Sequence, residues 1–258
     1  MRRALVIARK EATSFFRSWS GTLIFAFFFL IAGIFFSLLL LSYAKLSFEA
    51  SKTAYQGLEG IGLTRFVFGS FFLNFSMVLI FLVPILSMRT FSEERKTRTL
   101  ELLFTYPLSD FDIVWGKFLG LVWIMEALLL PTLVYLGLIH WMGLTFDWGP
   151  VLMGYLGFWL LANAYLSLGL FVSSLTDSQV TSAMISFACL MVFWMFEWVA
   201  GVADGTVGQV FVALSPLSRY RNFTLGILDL SDIVYFCFFH FFFLFLTMRS
   251  VETRNWKG

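Results

Sequence analysis

The sequence predicts an all-α integral membrane protein with six transmembrane helices, and two observations support this fold class. Hydrophobic residues make up 59% of the 258 residues and charged residues only 13%, whereas soluble domains carry roughly 25% charged residues. Six apolar segments also approach or exceed the roughly 20 residues that a helix needs to cross a bilayer. Residues 1–258 are therefore predicted to form one transmembrane domain, and the net charge of +2 is too small to indicate a nucleic-acid partner.

Residues 1–21 are predicted to form an amphipathic helix on the membrane surface, which turns into the membrane near Gly21. Apolar side chains recur near one face at helical spacing and most basic side chains lie elsewhere, which is typical of helices in the headgroup region. The apolar positions are Leu5, Ala8, Ala12, Phe15, Phe16 and Trp19. The alternative is that this segment is only a positively charged start to the first span.

The six spans are predicted at residues 22–44, 66–88, 118–139, 150–175, 180–202 and 233–248. The first is longer than the apolar part of a signal peptide, which has about 7–15 residues, so it is expected to remain in the membrane. The last is short, and a start near Leu228 would place Asp229 or Asp232 near the membrane interface.

The distribution of basic residues predicts that both termini are cytoplasmic. With that orientation the outer segments hold only Lys45, Lys52, Arg65, Arg219 and Arg221 of the 18 Lys and Arg residues. Residues 203–232 then lie outside. They are too polar for an ordinary span and too apolar for a free loop, so they are predicted to form a short helical segment that lies on or re-enters the outer leaflet. Such a segment must pack against the spans.

The segment 89–112 is the most charged part of the chain and lies between two spans. Ser92 is predicted to cap a helix that begins with Glu93 and Glu94, because acidic groups are favourable near the positive end of a helix. Glu94 and Arg98 form an i,i+4 pair. Leu100, Leu103 and Phe104 add an apolar edge, and Pro107 follows the helix. The result is a short cytoplasmic helix suited to dock on another protein. The alternative is a solvated, positively charged loop.

A motif within this segment suggests a family. Residues 91–103 read FSEERKTRTLELL, and Tyr106-Pro107-Leu108 and Gly116-Lys117 follow them. This motif resembles that of the ABC-2 family of ABC transporter permeases, and most of all the branch that holds the gliding-motility and nitrous-oxide-reductase-maturation permeases. The resemblance covers the whole chain and includes Arg9-Lys10-Glu11, a small second loop at 176–179 and Ser215-Pro216.

The resemblance implies an exporter subunit of the inner (plasma) membrane. It would pair with a second permease copy or a paralogue and be driven by a separate cytoplasmic ABC ATPase. The residues that form or flank the coupling helix would be Ser92, Glu93, Glu94, Arg95, Arg98, Thr99, Leu100, Glu101 and Leu103, with Asp177 as a smaller contact. ATP and Mg would be bound by the partner, because the chain lacks a G-x-x-x-x-G-K-[ST] loop. No metal or other cofactor is expected on the chain itself.

Two carboxylates fall within predicted spans. A carboxylate at the centre of a span costs roughly 2.5–3.5 kcal/mol, so Glu126 should face the bundle or find a partner. It is a candidate for the translocation path or a dimer contact, and a structural hydrogen bond is the equal alternative. Glu197 is a second candidate for the translocation path or a dimer contact. It lies nearer the outer end of its span, so the alternative is that it reaches water at the headgroups.

Parts of the sequence also fit other functional classes. Glu93-Glu94 with Arg98, together with Phe236 and His240, matches two elements of the CAAX-type intramembrane metalloprotease pattern. The third element is absent, because His140 is not followed by the required residue, and the two glutamates lie among cations rather than in the membrane. A passive channel or a scaffold is also compatible with six spans.

Overall fold

The computed structural model describes residues 2–53, 62–97 and 109–255, and all regular structure in these ranges is helical. The helices are α1 (Arg2–Arg17), α2 (Trp19–Thr53), α3 (Ser70–Ser87), α4 (Ser92–Lys96), α5 (Asp110–Leu129), α6 (Val134–Trp141), α7 (Trp148–Leu175), α8 (Gln179–Val202), α9 (Gly205–Leu214), α10 (Pro216–Thr224) and α11 (Leu230–Asn255). A π-helical turn, Thr64–Gly69, precedes α3, and a 3₁₀ turn, Leu130–Leu133, joins α5 to α6.

Six helical segments in the described residues are long and apolar enough to cross a membrane. They are Trp19–Glu49, Thr64–Lys96, Asp110–Trp141, Trp148–Leu175, Gln179–Val202 and Leu230–Thr253. Each of the six predicted spans falls within one of them. The predicted fold class, an all-α membrane protein, is therefore confirmed.

The third span begins eight residues before its predicted start, and the cause is local capping. The Ser109 hydroxyl accepts a hydrogen bond from the Asp112 amide at 3.1 Å, and Asp110 and Asp112 occupy the first turn of α5. Acidic groups at this position stabilise a helix start. Residues 110–112, which the sequence placed in the charged cytoplasmic segment, therefore belong to the helix of the span, and Ser109 caps it.

Helix α7 forms the centre of the bundle and is the most buried of the six spans. It packs against α3, α8, α10 and α11. Close contact with α10 depends on Gly157, because a Cβ atom there would lie 2.4 Å from the Cβ atom of Phe223. Small residues at helix crossings allow such close approach in membrane bundles.

Helix α1 lies at one end of the bundle, here called the α1 end, and packs mainly on α5. Ala4 and Ala8 are buried there, and a Cβ atom on Gly116 would lie 2.7 Å from the Ile7 Cβ. The chain bends at Ser18, three residues before the predicted turn at Gly21. The apolar positions predicted for the surface helix are divided between two environments, since Ala8 in α1 is buried whereas Trp19, the first residue of α2, is 80% exposed.

Residues 203–232 form two short helices and the start of α11 at the opposite end of the bundle, here called the α10 end. The Ser215 hydroxyl accepts a hydrogen bond from the Ser218 amide at 3.2 Å, and Pro216 occupies the first turn of α10. Tyr220 and Phe223 are fully buried, with Tyr220 against Phe158 of α7. Burial raises the pKa of Tyr220 well above its usual value, so the phenol is neutral. The segment thus packs against the spans.

Candidate functional site

The most unusual group at the α1 end is a buried ammonium, that of Lys117 in α5, whose side chain is only 1% exposed. Its Nζ lies 2.8 Å from Glu94 Oε2 of α4 and 3.1 Å from Glu11 Oε1 of α1. It also donates a hydrogen bond to the Thr90 carbonyl at 2.6 Å. An ammonium has three N–H donors, and a buried charge is tolerated when it is paired and hydrogen-bonded. Lys117 therefore joins three separate parts of the chain.

Two further contacts complete this group. Phe91 presents its ring to the Lys117 ammonium, with 5.0 Å between Nζ and the ring centroid, in a cation–π arrangement. Lys10 Nζ lies 3.8 Å from Glu94 Oε1, but its side chain is 65% exposed, so this second ion pair is weak. We call Glu11, Glu94 and Lys117 the lysine junction.

Arg95 connects α4 to the turn between α7 and α8. Its Nη1 lies 3.3 Å from Asp177 Oδ1, and its Nη2 donates to the Ser174 carbonyl. The Arg95 side chain is nearly buried, whereas that of Asp177 is exposed. Ser250 of α11 donates to the same carbonyl at 3.3 Å. The structure therefore brings together Arg95 and Asp177, which the sequence assigned to two different cytoplasmic loops.

The start of α4 is held by α7 and not by the predicted serine cap. The Ser92 hydroxyl donates back to the Met88 carbonyl. The amides of Phe91 and Ser92 instead donate to Ser173 Oγ, at 3.1 and 3.4 Å. The predicted cap does not form because Ser92 is already the first helical residue, and Phe91 occupies the cap position.

The charged segment is only partly described. Glu93 is exposed and makes no ion pair or hydrogen bond through its carboxylate within the described residues. The predicted helix 92–104 is described as far as Lys96. The other predicted coupling residues, Arg98, Thr99, Leu100, Glu101 and Leu103, lie outside the described residues, and so does the predicted Glu94–Arg98 pair.

The two carboxylates within the spans lie apart from the lysine junction. Glu126 is half-buried in α5 and makes no ion pair or hydrogen bond in the described part of the chain. Trp123 and Leu130, about one turn away on either side, are exposed. Glu197 lies 3.7 Å from Arg221 Nη1 of α10, at the opposite end of the bundle.

The protease pattern is not assembled in the part of the chain that the structure describes. Glu94 contacts Lys117, and the His240 imidazole Nδ1 lies against the Phe236 carbonyl of its own helix. Within residues 2–53, 62–97 and 109–255, no three His, Cys, Asp or Glu side chains come close enough to hold a metal ion. These contacts are structural and give His240 no acidic partner.

Lys117 is the residue that sequence reasoning missed, because its charge placed it in a loop just before the third span. The signal that could have identified it is its position between Gly116 and Gly120. Both glycines face α1, and a Cβ atom on Gly120 would lie 2.7 Å from the Glu11 Cβ. A lysine between two glycines that contact another helix is well placed to be buried beside that helix.

The chain matches a known protein family. A family model described as ABC-2 family transporter protein matches residues 5–251, which is nearly the whole chain. The match includes the lysine junction, the Arg95–Asp177 pair, five of the six apolar helical segments and all but the last two residues of the sixth. No curated protein matches the chain.

Proposed function

Because the chain belongs to the ABC-2 family of transporter proteins, we propose that it couples ATP hydrolysis by a separate ATPase to the export of a substrate. Proteins of this family are permease components of ABC transporters, and they work with a cytoplasmic ABC ATPase. The family match is the single observation that carries the proposal. The direction of transport, the coupling residues and the arrangement of the subunits are proposed in addition to what the family match shows.

We propose that α4 and the residues that follow it form the coupling element. Closure of two ATPase subunits around ATP and Mg would push on this element from the cytoplasm. Glu94 and Arg95 face the permease itself, toward Lys117 and Asp177. They would therefore transmit the movement to α1, α5 and the α7–α8 turn, while Thr99, Leu100, Glu101 and Leu103 would contact the ATPase and Glu93 would flank that contact.

The proposed assembly is a dimer with a second copy of the chain or a paralogue, in the inner (plasma) membrane. The charged run at 91–103 supports placing the chain in the gliding-motility and nitrous-oxide-reductase-maturation branch. Glu126 is assigned to the translocation path or the dimer contact, because it is half-buried among exposed apolar neighbours. Glu197 is a second candidate for such a contact.

A pull-down with the partner ABC ATPase tests the coupling element. Leu100→Asp and Leu103→Asp place charge on the predicted docking edge, where burial without a partner is costly. These variants are expected to lose most of the ATPase binding. Glu94→Ala should retain binding better but uncouple ATP hydrolysis from transport.

His240→Ala is the matched control, because His240 belongs to the rival protease pattern and not to the coupling element. It should bind the ATPase and transport normally. If His240→Ala is inactive while both leucine variants bind and function, the coupling role of residues 92–104 is wrong. The purified chain alone should hydrolyse no ATP above background, and robust hydrolysis by it would refute the division of labour.

The orientation is tested by labelling single cysteines in a background that lacks Cys189 and Cys237. Lys96→Cys should be protected from a membrane-impermeant reagent added outside the cell. Lys52→Cys and Arg221→Cys should react. The reverse pattern would place the termini outside and the charged segment away from any cytoplasmic ATPase.

A further inference from the structure

A cavity of about 330 Å³ lies at the α1 end, in the angle between α1, the start of α2, the end of α3, α4 and α5. This volume falls within the range of small-molecule sites, which is roughly 300–1,000 Å³. The lining residues are of two kinds. The polar ones include Lys10, Ser14, Ser18, Ser20, Arg89 and Glu93, beside the lysine junction. The apolar ones include Phe15, Ile24, Ile85, Leu86, Leu121 and Ile124. The site is therefore amphipathic.

The polar lining offers accessible charges of both signs: the Lys10 ammonium, which pairs only weakly with Glu94, the Arg89 guanidinium and the Glu93 carboxylate. Arg89 is exposed and donates a hydrogen bond to Ser20 Oγ at 3.0 Å, and no carboxylate in the described ranges pairs with it. Glu93, one helical turn further on, is also exposed and has no cation partner in those ranges. The charge of Lys117 is already compensated by Glu11 and Glu94. A ligand with a separate anion and cation fits this arrangement better than a simple anion does.

The apolar lining continues along α3 from Ile85, away from the charged residues. Ile85, Phe81 and Met77 follow one another at intervals of four residues, and all three are exposed, at 42%, 60% and 44%. Residues at this spacing lie on one face of a helix, and eight residues rise about 12 Å. This exposed stripe begins at the cavity and has the length and character to contact an acyl chain.

The depth of the cavity also favours a lipid. Arg89 lies two residues after the end of α3, and α1 with its exposed Leu5 and Phe16 lies at the same end of the bundle. Arginine at this level meets lipid phosphates, and its planar guanidinium binds phosphate oxygens in pairs. We propose that the cavity binds the headgroup of a zwitterionic phospholipid with a primary ammonium group, phosphatidylethanolamine.

In this complex the phosphate contacts the Arg89 guanidinium and the serine hydroxyls, and the ammonium contacts the Glu93 carboxylate. Phosphatidylcholine has the same charges, but its trimethylammonium group has no N–H to donate to Glu93. Phosphatidylglycerol has the phosphate and lacks the cation. The site thus distinguishes the three headgroups by two side chains, and binding does not require that the lipid is transported.

The test uses the full chain, purified in detergent without the ATPase and stripped of lipid, with short-chain forms of the three phospholipids as probes. Native mass spectrometry measures the fraction of protein that carries one lipid. Phosphatidylethanolamine should bind about tenfold more tightly than either other lipid, as expected for one charge-assisted hydrogen bond in a partly buried site. Equal binding of the three lipids would overturn the proposal.

Two variants assign the contacts. Arg89→Gln should weaken the binding of all three lipids, because each has a phosphate. Glu93→Gln should reduce phosphatidylethanolamine to the level of phosphatidylcholine and leave phosphatidylglycerol unchanged or slightly improved. If the preference for phosphatidylethanolamine survives in Glu93→Gln, the ammonium contact is wrong and the proposal fails.

Arg249→Gln and Glu252→Gln are the matched controls. These residues form an exposed ion pair near the end of α11 and do not line the cavity. They make the same changes in charge and should leave all three affinities unchanged. A loss of binding in the controls equal to that in Arg89→Gln would show non-specific attraction of charge to the protein surface and would also overturn the proposal.

Discussion

Each end of the bundle contains a buried charge that holds a short helix against the spans. The two charges differ in how far away in sequence their partners lie. At the α10 end, Asp232 of α11 is fully buried and lies 3.0 Å from Arg219 Nη1. Asn222 donates to its other oxygen at 2.7 Å. These partners are only 13 and 10 residues away in sequence. The contact therefore fixes one local turn of chain.

At the α1 end, by contrast, Lys117 contacts Glu11, which is 106 residues away, and also Glu94 and the Thr90 carbonyl. Its partners come from α1, the turn before α4, and α4 itself. The buried ion pairs at the two ends therefore connect the chain differently. The lysine junction links elements that could move relative to one another, whereas the Asp232 cluster holds α10 in place.

The largest effect is expected for Lys117→Met. The substitution keeps apolar bulk but leaves Glu11 and Glu94 without their buried cation. Breaking a buried ion pair costs roughly 3–5 kcal/mol, and the partial exposure of both carboxylates favours the lower end of that range. The measurement is reversible unfolding in mixed detergent micelles. Lys10→Met makes the same change at a 65% exposed site and should have little effect; equal losses for both variants would contradict the central role of Lys117.

Asp232→Ala should cost less, about 2 kcal/mol, because Arg219 is partly exposed and can turn toward water. The comparison between the two ends predicts that this variant still binds the ATPase and couples normally. Asp204→Ala, at an exposed position of the same region, is the control for stability. If Asp232→Ala disrupts coupling as strongly as Lys117→Met, the two ends do not differ in the way described.

Arg95 and Asp177 are expected to show a small coupling energy in a double-mutant cycle. Because Asp177 is 77% exposed, the pair itself should contribute no more than about 1 kcal/mol. Arg95→Ala alone should cost more than Asp177→Ala, since Arg95 also loses its bond to the Ser174 carbonyl. Unfolding of the two single variants and the double variant measures the coupling. Equal costs for the two single variants would argue against the carbonyl contact.

The smallest effect is expected for Arg249→Gln, which removes an exposed i,i+3 pair with Glu252. Such pairs stabilise a helix by about 0.2–0.5 kcal/mol, and salt screens them. Unfolding at low and at high salt should show a difference from the unaltered chain only at low salt. A loss of more than 1 kcal/mol would mean that this pair takes part in an interaction beyond its own helix.

The six spans and the helical class followed from the sequence because both depend on local properties, namely the length and hydrophobicity of each segment. The same reasoning placed Lys117 and Asp232 outside the spans, since a charged residue in isolation favours water. The third and last spans therefore begin earlier than predicted, at Asp110 and Leu230, and Ser109 caps the start of the third. Each charge is accommodated by a partner that the linear pattern does not reveal.

The sequence by itself determined that this is a six-span helical membrane protein with one charged segment, and its motif indicated the ABC-2 family. Only the tertiary structure decided which way the charges of that segment point. Glu94 and Arg95 face Lys117 and Asp177 of the permease, and the cavity beside them presents Arg89 and Glu93. The physical reason is that burying a charge depends on oppositely charged groups converging from distant parts of the chain, and that convergence exists only when the helices pack.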